Sequence, residues 1–226
     1  MLSVVGQLLP VGLAAAISTV PISLMIVILL SRRRSVAALP FAIGYVVGTA
    51  AVVVVAAYAS QLLPEPSRRQ PVGPVGVLEI ILGTALVVLG IIRARRRPDA
   101  ETPAPPSRLA AIASSMVTTI GPVKALGLGL LLGFRPKSIL LAGVVGLQLA
   151  SLKPGPELVG VILGYTLIAT STVLVPVVLT IISPKRMEPR LTSSSELLST
   201  HGALISAVVL VMVGVVVIGV GLQDLV

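Results

Sequence analysis

Apolar positions in this chain neither alternate nor follow a narrow helical stripe; they run on in long blocks separated by short polar segments. The blocks fall at about Gly6–Leu30, Ala37–Ala59, Val75–Ile92, Val123–Ser151, Leu158–Ile182 and Ala203–Leu222. A helix needs about 20 such residues to cross the hydrocarbon core of a bilayer. Barrel strands would alternate apolar and polar positions over shorter segments, whereas these blocks are continuous and rich in Leu, Val, Ala and Gly. The pattern therefore predicts an all-α, polytopic membrane protein with six transmembrane helices. The first block has no basic residue before Arg32 and is longer than the apolar part of a signal peptide, so it is read as a span.

A repeat lies within this pattern. Gly12-Leu13 leads to Pro21-Ile22-Ser23, and Gly127-Leu128 leads at the same spacing to Pro136-Lys137-Ser138, so the offset between prolines is 115 residues. Gly44-Tyr45 and Gly164-Tyr165 recur 120 residues apart and use two of the three tyrosines in the chain. Spans three and six both end in Gly-rich apolar sequence. Each unit is three spans long, and an odd number turns the second unit upside down in the bilayer. The expected architecture is two inverted three-helix repeats, residues 1–92 and 118–226, with broken first and fourth helices, together forming one membrane domain. Residues 93–117, with Pro98, Pro103, Pro105 and Pro106 among charged residues, read as a cytoplasmic linker. Leu109–Ile120 is expected along the inner interface, and Met187–Thr200 as a short amphipathic piece at the cytoplasmic surface. Gly83 and Gly90, with Gly214 and Gly219, suit close helix packing, within the chain or in a homodimer.

Proline inside a helix removes a backbone donor and clashes with the preceding turn. Pro21, preceded by Ser18 and Thr19 as capping hydroxyls, is expected at the first position of a new half-helix, and Pro136 at the corresponding position after Phe134-Arg135. In inverted repeats the N-termini of these half-helices face each other near the midplane. Each carries unbonded N–H groups and roughly half a positive charge, so together they suit an anion. Arg135 and Lys137 flank the second break, where the bilayer charges roughly 2.5–3.5 kcal/mol for each cation. The alternative is a span that begins later, with both cations at the inner interface. The candidate substrate-binding set is Ser18, Thr19, Pro21, Ser23, Arg135, Pro136, Lys137 and Ser138. Glu79, the one acid inside an apolar block, is a candidate ion-pair or coupling residue, with a snorkelling position at the outer headgroups as the alternative. Tyr45 and Tyr165 are candidates for lining a path, or else packed tyrosines.

Composition agrees with the pattern: 55% of residues are hydrophobic, 11% are charged and the mean hydropathy is +1.08, outside the range of a soluble domain. The net charge of +9 is distributed as a topology signal. Basic residues crowd after spans one, three and five (Arg32–Arg34, Arg93–Arg97 with Arg108, Lys185–Arg190), while the opposite loops hold Arg68, Arg69 and Lys153. The positive-inside rule places the three basic loops in the cytoplasm and both termini outside. The charge fits anionic lipid, not nucleic acid. With no cysteine, one histidine (His201) and no phosphate-binding glycine loop, neither a metal site, a catalytic triad nor ATP hydrolysis is expected, and no cofactor.

The stretch Leu30-Ser31-Arg32-Arg33-Arg34 followed by Phe41-Ala42-Ile43-Gly44-Tyr45, and Ala125-Leu126-Gly127-Leu128 leading to Arg135-Pro136-Lys137-Ser138-Ile139-Leu140-Leu141-Ala142, resemble the actinobacterial glycolipid-addressing proteins, which include the sulfolipid-addressing proteins of mycobacteria. Val175-Pro176-Val177, Ser183-Pro184-Lys185 and the stretch from His201 to Gly221-Leu222 match in order. The resemblance implies a six-spanning inner-membrane protein of the lysine-exporter superfamily that moves cell-envelope glycolipids outward. It also implies that Pro136 and Lys137 occupy the family's Asn-Pro-Lys position, with Arg135 in place of the Asn, which favours a more anionic ligand. The expected function is export or flipping of an anionic envelope lipid or glycolipid by alternating access, without enzymatic activity. Two alternatives stand beside it: export of a small soluble metabolite such as an amino acid, and a scaffold subunit of an envelope-lipid synthesis or export complex.

Overall fold

The computed structural model describes residues 2–31, 34–62, 74–95, 121–150, 152 and 155–223. They form eight helices: α1 Leu2–Ala16, α2 Thr19–Leu30, α3 Arg34–Gln61, α4 Pro74–Arg95, α5 Pro122–Gly133, α6 Pro136–Leu149, α7 Pro156–Ile182 and α8 Pro184–Gln223. Among the described residues there is no strand. In a bilayer every backbone N–H and C=O must bond within the protein, and a helix does this inside one segment. Arg34–Gln61, Gly76–Arg95, Pro156–Ile182 and Leu204–Gln223 are each long and apolar enough to cross a membrane. The pairs α1/α2 and α5/α6, bent by 45° and 57° at short breaks, raise the number to six if each pair is one span. The chain is thus a multi-pass membrane protein.

Five of the eight helices start on proline: Pro74, Pro122, Pro136, Pro156 and Pro184. The first turn has no acceptor for its N–H groups, so a residue without one costs nothing there. Pro136 starts α6 as expected, but α2 begins two residues before Pro21, at Thr19. Ser18 takes the extended N-cap conformation, and Pro21 is third in a first turn that still tolerates it. The segment Met187–Thr200 is not a separate surface piece. It continues without interruption into the last span as the first half of the 40-residue α8, with Met187 and Leu191 buried. Most of the expected linker and the stretch Leu109–Ile120 lie outside the described residues.

Close approach through glycine sets the helix order. Gly44, Gly48, Gly133 and Gly146 meet Leu126, Leu130, Gly48 and Ala56 respectively, so α3 runs parallel to α5 and then α6. A methyl group at Gly48 would lie 2.5 Å from the Leu130 carbonyl oxygen, closer than any side chain tolerates. Gly12 meets Tyr165 and Ile168, and Thr172 reaches Ala16, so α1 runs parallel to α7. Gly83 opposes Gly214, Gly90 opposes Ala207 and Val211, and Gly221 opposes Gly76, so α4 and α8 are antiparallel. Gly83, Gly90 and Gly214 therefore pack within the chain, whereas Gly219 faces open space.

The buried apolar residues form two clusters. One joins α1 and α6 with the Val52–Ala57 part of α3, the Leu158–Ala169 part of α7 and the end of α8. The other joins α2 and α5 with the start of α3, Val173 and Val177 of α7, and Met187 and Leu191 of α8. Each broken pair contributes one half to each cluster, so the breaks lie where the two meet.

Candidate functional site

At the first break α1 ends with Ile17 N–H donating to Leu13 O (3.0 Å) and Ser18 N–H to Ala16 O (2.8 Å). The chain turns at extended Ser18 (φ −126°, ψ 107°), and Ile22 N–H closes the first turn of α2 on Ser18 O. At the second break Phe134 N–H donates to Leu131 O, Arg135 is extended (φ −77°, ψ 153°), and Ile139 N–H closes the first turn of α6 on Arg135 O. Each new half-helix contains a proline in this turn, so two amides remain without a helical acceptor at each end: Thr19 and Val20 in α2, Lys137 and Ser138 in α6. Neither N-cap side chain bonds back to cover them.

The two breaks touch. The Arg135 guanidinium donates from Nε to Leu132 O (3.0 Å), at the carboxyl end of its own preceding half-helix, and from Nη2 to Ser18 Oγ across the break (3.2 Å). Lys137 Nζ donates to Ile17 O (2.8 Å), at the carboxyl end of α1. Thr172 Oγ1 of α7 donates to Ala16 O (2.7 Å). Ser18 and Lys137 are only 4% and 5% exposed, which makes this a buried polar layer and not a surface patch. Gly133, two residues before Arg135, packs on Gly48 and Thr49, near the middle of the 28-residue α3. Tyr45 lies beside Arg135, with Thr49 buried next to it.

A third cation joins them. Arg93, in the last turn of α4, donates from Nη1 to Ser206 Oγ of α8 (3.2 Å) and acts electrostatically on both Arg135 and Lys137. The charged side chains that act on Lys137 among the described residues are these two arginines, both of its own sign. Carboxyl ends of half-helices offset part of the repulsion, by up to about 2 kcal/mol each in partly buried geometry. The hydrogen bonds to Leu132 O, Ser18 Oγ and Ile17 O offset more of the cost of burying the cations. The repulsion among the three cations has no opposite charge beside it among the described residues, and an anion held between them and the four free amides would relieve it.

The other sequence candidates are dispersed around this centre. Thr19 turns its hydroxyl to Gly202 O of α8 (3.0 Å), and Pro21 is buried in the first turn of α2. Ser23 and Ser138 are half-buried on α2 and α6, while Pro136 is exposed. Tyr165 is buried in the cluster with α1, near enough to Tyr45 for their hydroxyls to interact electrostatically. Glu79 is buried against Gly221 where α4 meets the end of α8. It stands 14 residues before Arg93, about 21 Å along the same helix, so it lies far from that cation. Among the described residues, no three His, Cys, Asp or Glu side chains gather in a metal-sized group.

Sequence reasoning missed Arg93, Thr172 and Ser206. Arg93 opens a run of basic residues and reads as an orientation signal, although Ile91-Ile92 before it carry the apolar helix up to it. Thr172 had a usable signal, the polar run Thr170-Ser171-Thr172 in mid-span. Its neighbours bond back to their own helix, at Thr166 O and Ile168 O, and Thr172 reaches across.

A family model described as Sap, sulfolipid-1-addressing protein, matches residues 8–223. No curated protein and no solved structure matches the chain.

Proposed function

Because the chain belongs to the sulfolipid-1-addressing protein family, with nearly its whole length matched, we propose that it exports or flips an anionic envelope lipid or glycolipid across the inner membrane, by alternating access at the two helix breaks. The observation that carries this reading is the clustering of Arg93, Arg135 and Lys137 with the amino ends of α2 and α6, in a buried layer where the described charges are all positive. Arg135 and Lys137 hold the headgroup, the free amides of Thr19, Val20, Lys137 and Ser138 complete its coordination, and Ser18 holds Arg135 in place. Both termini are outside, and the three basic loops lie in the cytoplasm.

The packing supports an inverted repeat. Exchanging the α1/α2 pair with α5/α6, α3 with α7, and α4 with α8 turns the parallel α1/α7 contact into the parallel α5/α3 contact and leaves the antiparallel α4/α8 contact unchanged. The same exchange swaps the two apolar clusters. It also relates Gly44 to Gly164, and these two differ: Gly44 is pressed against the Leu126 carbonyl, while nothing lies within 4 Å of a methyl group at Gly164. At this level the α3/α5 pair is closed and the related α1/α7 pair looser, which fits one state of an alternating-access cycle. Membership of the lysine-exporter superfamily, in which this arrangement also serves soluble substrates, remains part of the proposal.

Replacing Arg135 and Lys137 together by Gln tests it. In proteoliposomes the double variant is expected to lose at least tenfold in transport of an anionic lipid, an effect of about 1.4 kcal/mol or more, while circular dichroism reports unchanged helix content. Unchanged transport would contradict the reading. Loss of an amino acid flux instead would favour the soluble-metabolite alternative, and no flux of either in the wild type would favour the scaffold.

A further inference from the structure

Two apolar grooves of similar size open on the flanks of the bundle, and they differ in the charge at one end. The first, about 320 Å³ between α1 and α7, is lined by Leu8, Leu9, Gly160, Val161 and Ile168 and ends at Glu157. The second, about 280 Å³ between α4 and α8, is lined by Ile91, Leu204, Val208, Val211 and Met212 and ends at Arg95. Leu204, Val208 and Met212 are 63%, 49% and 64% exposed, so the second groove is open to whatever surrounds the protein.

We propose that the α4/α8 groove is the loading site for an anionic lipid of the inner leaflet, with its headgroup on Arg95 and an acyl chain on Val208, Val211 and Met212. This rests on the reading above, that the basic end of α4 is cytoplasmic and that the inner cations receive an anionic headgroup. The antiparallel packing of α4 on α8 puts Arg95 at the Leu204 end of the groove and Met212 at the other. From Leu204 to Met212 is eight residues, about 12 Å of helix, so one cationic end and an apolar length match a head and the upper part of a tail. The charged end is on the side where the basic loop follows α4, which is the side where an inner-leaflet lipid carries its headgroup.

The groove also lies beside the cation layer. Ala94 and Ala207 line it, and their neighbours in the chain, Arg93 and Ser206, are hydrogen-bonded to each other. Arg93 in turn acts on Arg135 and Lys137. A headgroup leaving Arg95 therefore meets Arg93 next and the two inner cations after it, without passing an acid among the described residues. The α1/α7 groove offers the same headgroup the Glu157 carboxylate, which repels it, and so serves as an internal control.

The purified protein in phosphatidylcholine vesicles, doped with phosphatidylglycerol or phosphatidylcholine carrying a photoactivatable diazirine on one acyl chain, gives the test. Peptide mapping by mass spectrometry then locates the crosslinks. Segments 91–95 and 204–212 are expected to label about fivefold more with the anionic lipid, the preference that one arginine at a membrane surface gives. Arg95→Gln should remove that preference and Arg95→Lys keep it, while segments 8–9 and 160–168, beside Glu157, label no more with the anionic lipid than with phosphatidylcholine. Met212→Trp, which fills the groove, should lower labelling of 204–208 by both. Equal labelling of the α4/α8 segments by the two lipids, or a preference unmoved by Arg95→Gln, would overturn the assignment. If the preference is absent while the Arg135/Lys137 variant still loses export, the groove fails and the transport reading stands. If the preference is present and that variant exports normally, the transport reading fails and the groove stands.

Discussion

Lys137 and Thr172 make formally similar contacts, each donating one hydrogen bond to a carbonyl freed by the first break, and they should respond differently to substitution. Lys137→Met leaves the Ile17 carbonyl without its partner in a buried layer, at a cost of about 1–3 kcal/mol, and removes a cation. Thr172→Val leaves Ala16 O still accepting from Ser18 N–H, so about 1 kcal/mol or less is lost, and the charge is unchanged. Thermal unfolding in neutral detergent, with and without added phosphatidylglycerol, separates the two. The anionic lipid should raise the midpoint of wild type and Thr172→Val alike and leave Lys137→Met nearly unmoved; an equal rise in all three would remove Lys137 from the site. Arg135 and Lys137 were legible in the sequence because cations inside an apolar block are costly. Arg93 was not, because a basic run next to a span has a sufficient explanation in topology, and only the packing of α4 on α8 turns its first member inward.

At the scale of elements, glycine and proline carry most of the information. The two breaks could be read from Pro21 and Pro136, yet the first half-helix starts at Thr19, since a proline is acceptable anywhere in a turn whose amides lack acceptors. The length of α8 could not be read. Its first half is polar and contains Pro189, and it enters the core through Met187 and Leu191, too few positions to register as a periodic face. The related glycines Gly44 and Gly164 give the sharper prediction. Gly44→Ala forces a methyl group into the Leu126 backbone and should destabilise the closed α3/α5 pair by about 1–3 kcal/mol, whereas Gly164→Ala has open space and should cost little. Unfolding midpoints of the two variants in detergent check this, and equal losses would mean that the two helix pairs are equally closed.

The whole molecule reads as a charged layer enclosed between two apolar clusters, with a groove that has a cationic end on the α4/α8 flank. The proposed inverted repeat accounts for where the breaks meet. Its departures from symmetry account for the chemistry: the first break is uncharged and the second supplies both Arg135 and Lys137. In the function proposed above, an anionic lipid headgroup occupies the place where the breaks meet. Mass spectrometry of the lipids retained by the purified protein tests it most directly, with wild type compared to a variant carrying Arg93→Gln, Arg135→Gln and Lys137→Gln. The wild type is expected to retain an anionic lipid or glycolipid enriched over its abundance in the membrane of origin, and the triple variant to lose that enrichment while remaining folded. Retention of neutral lipids only, or an identical lipid profile in the two proteins, would contradict the claim.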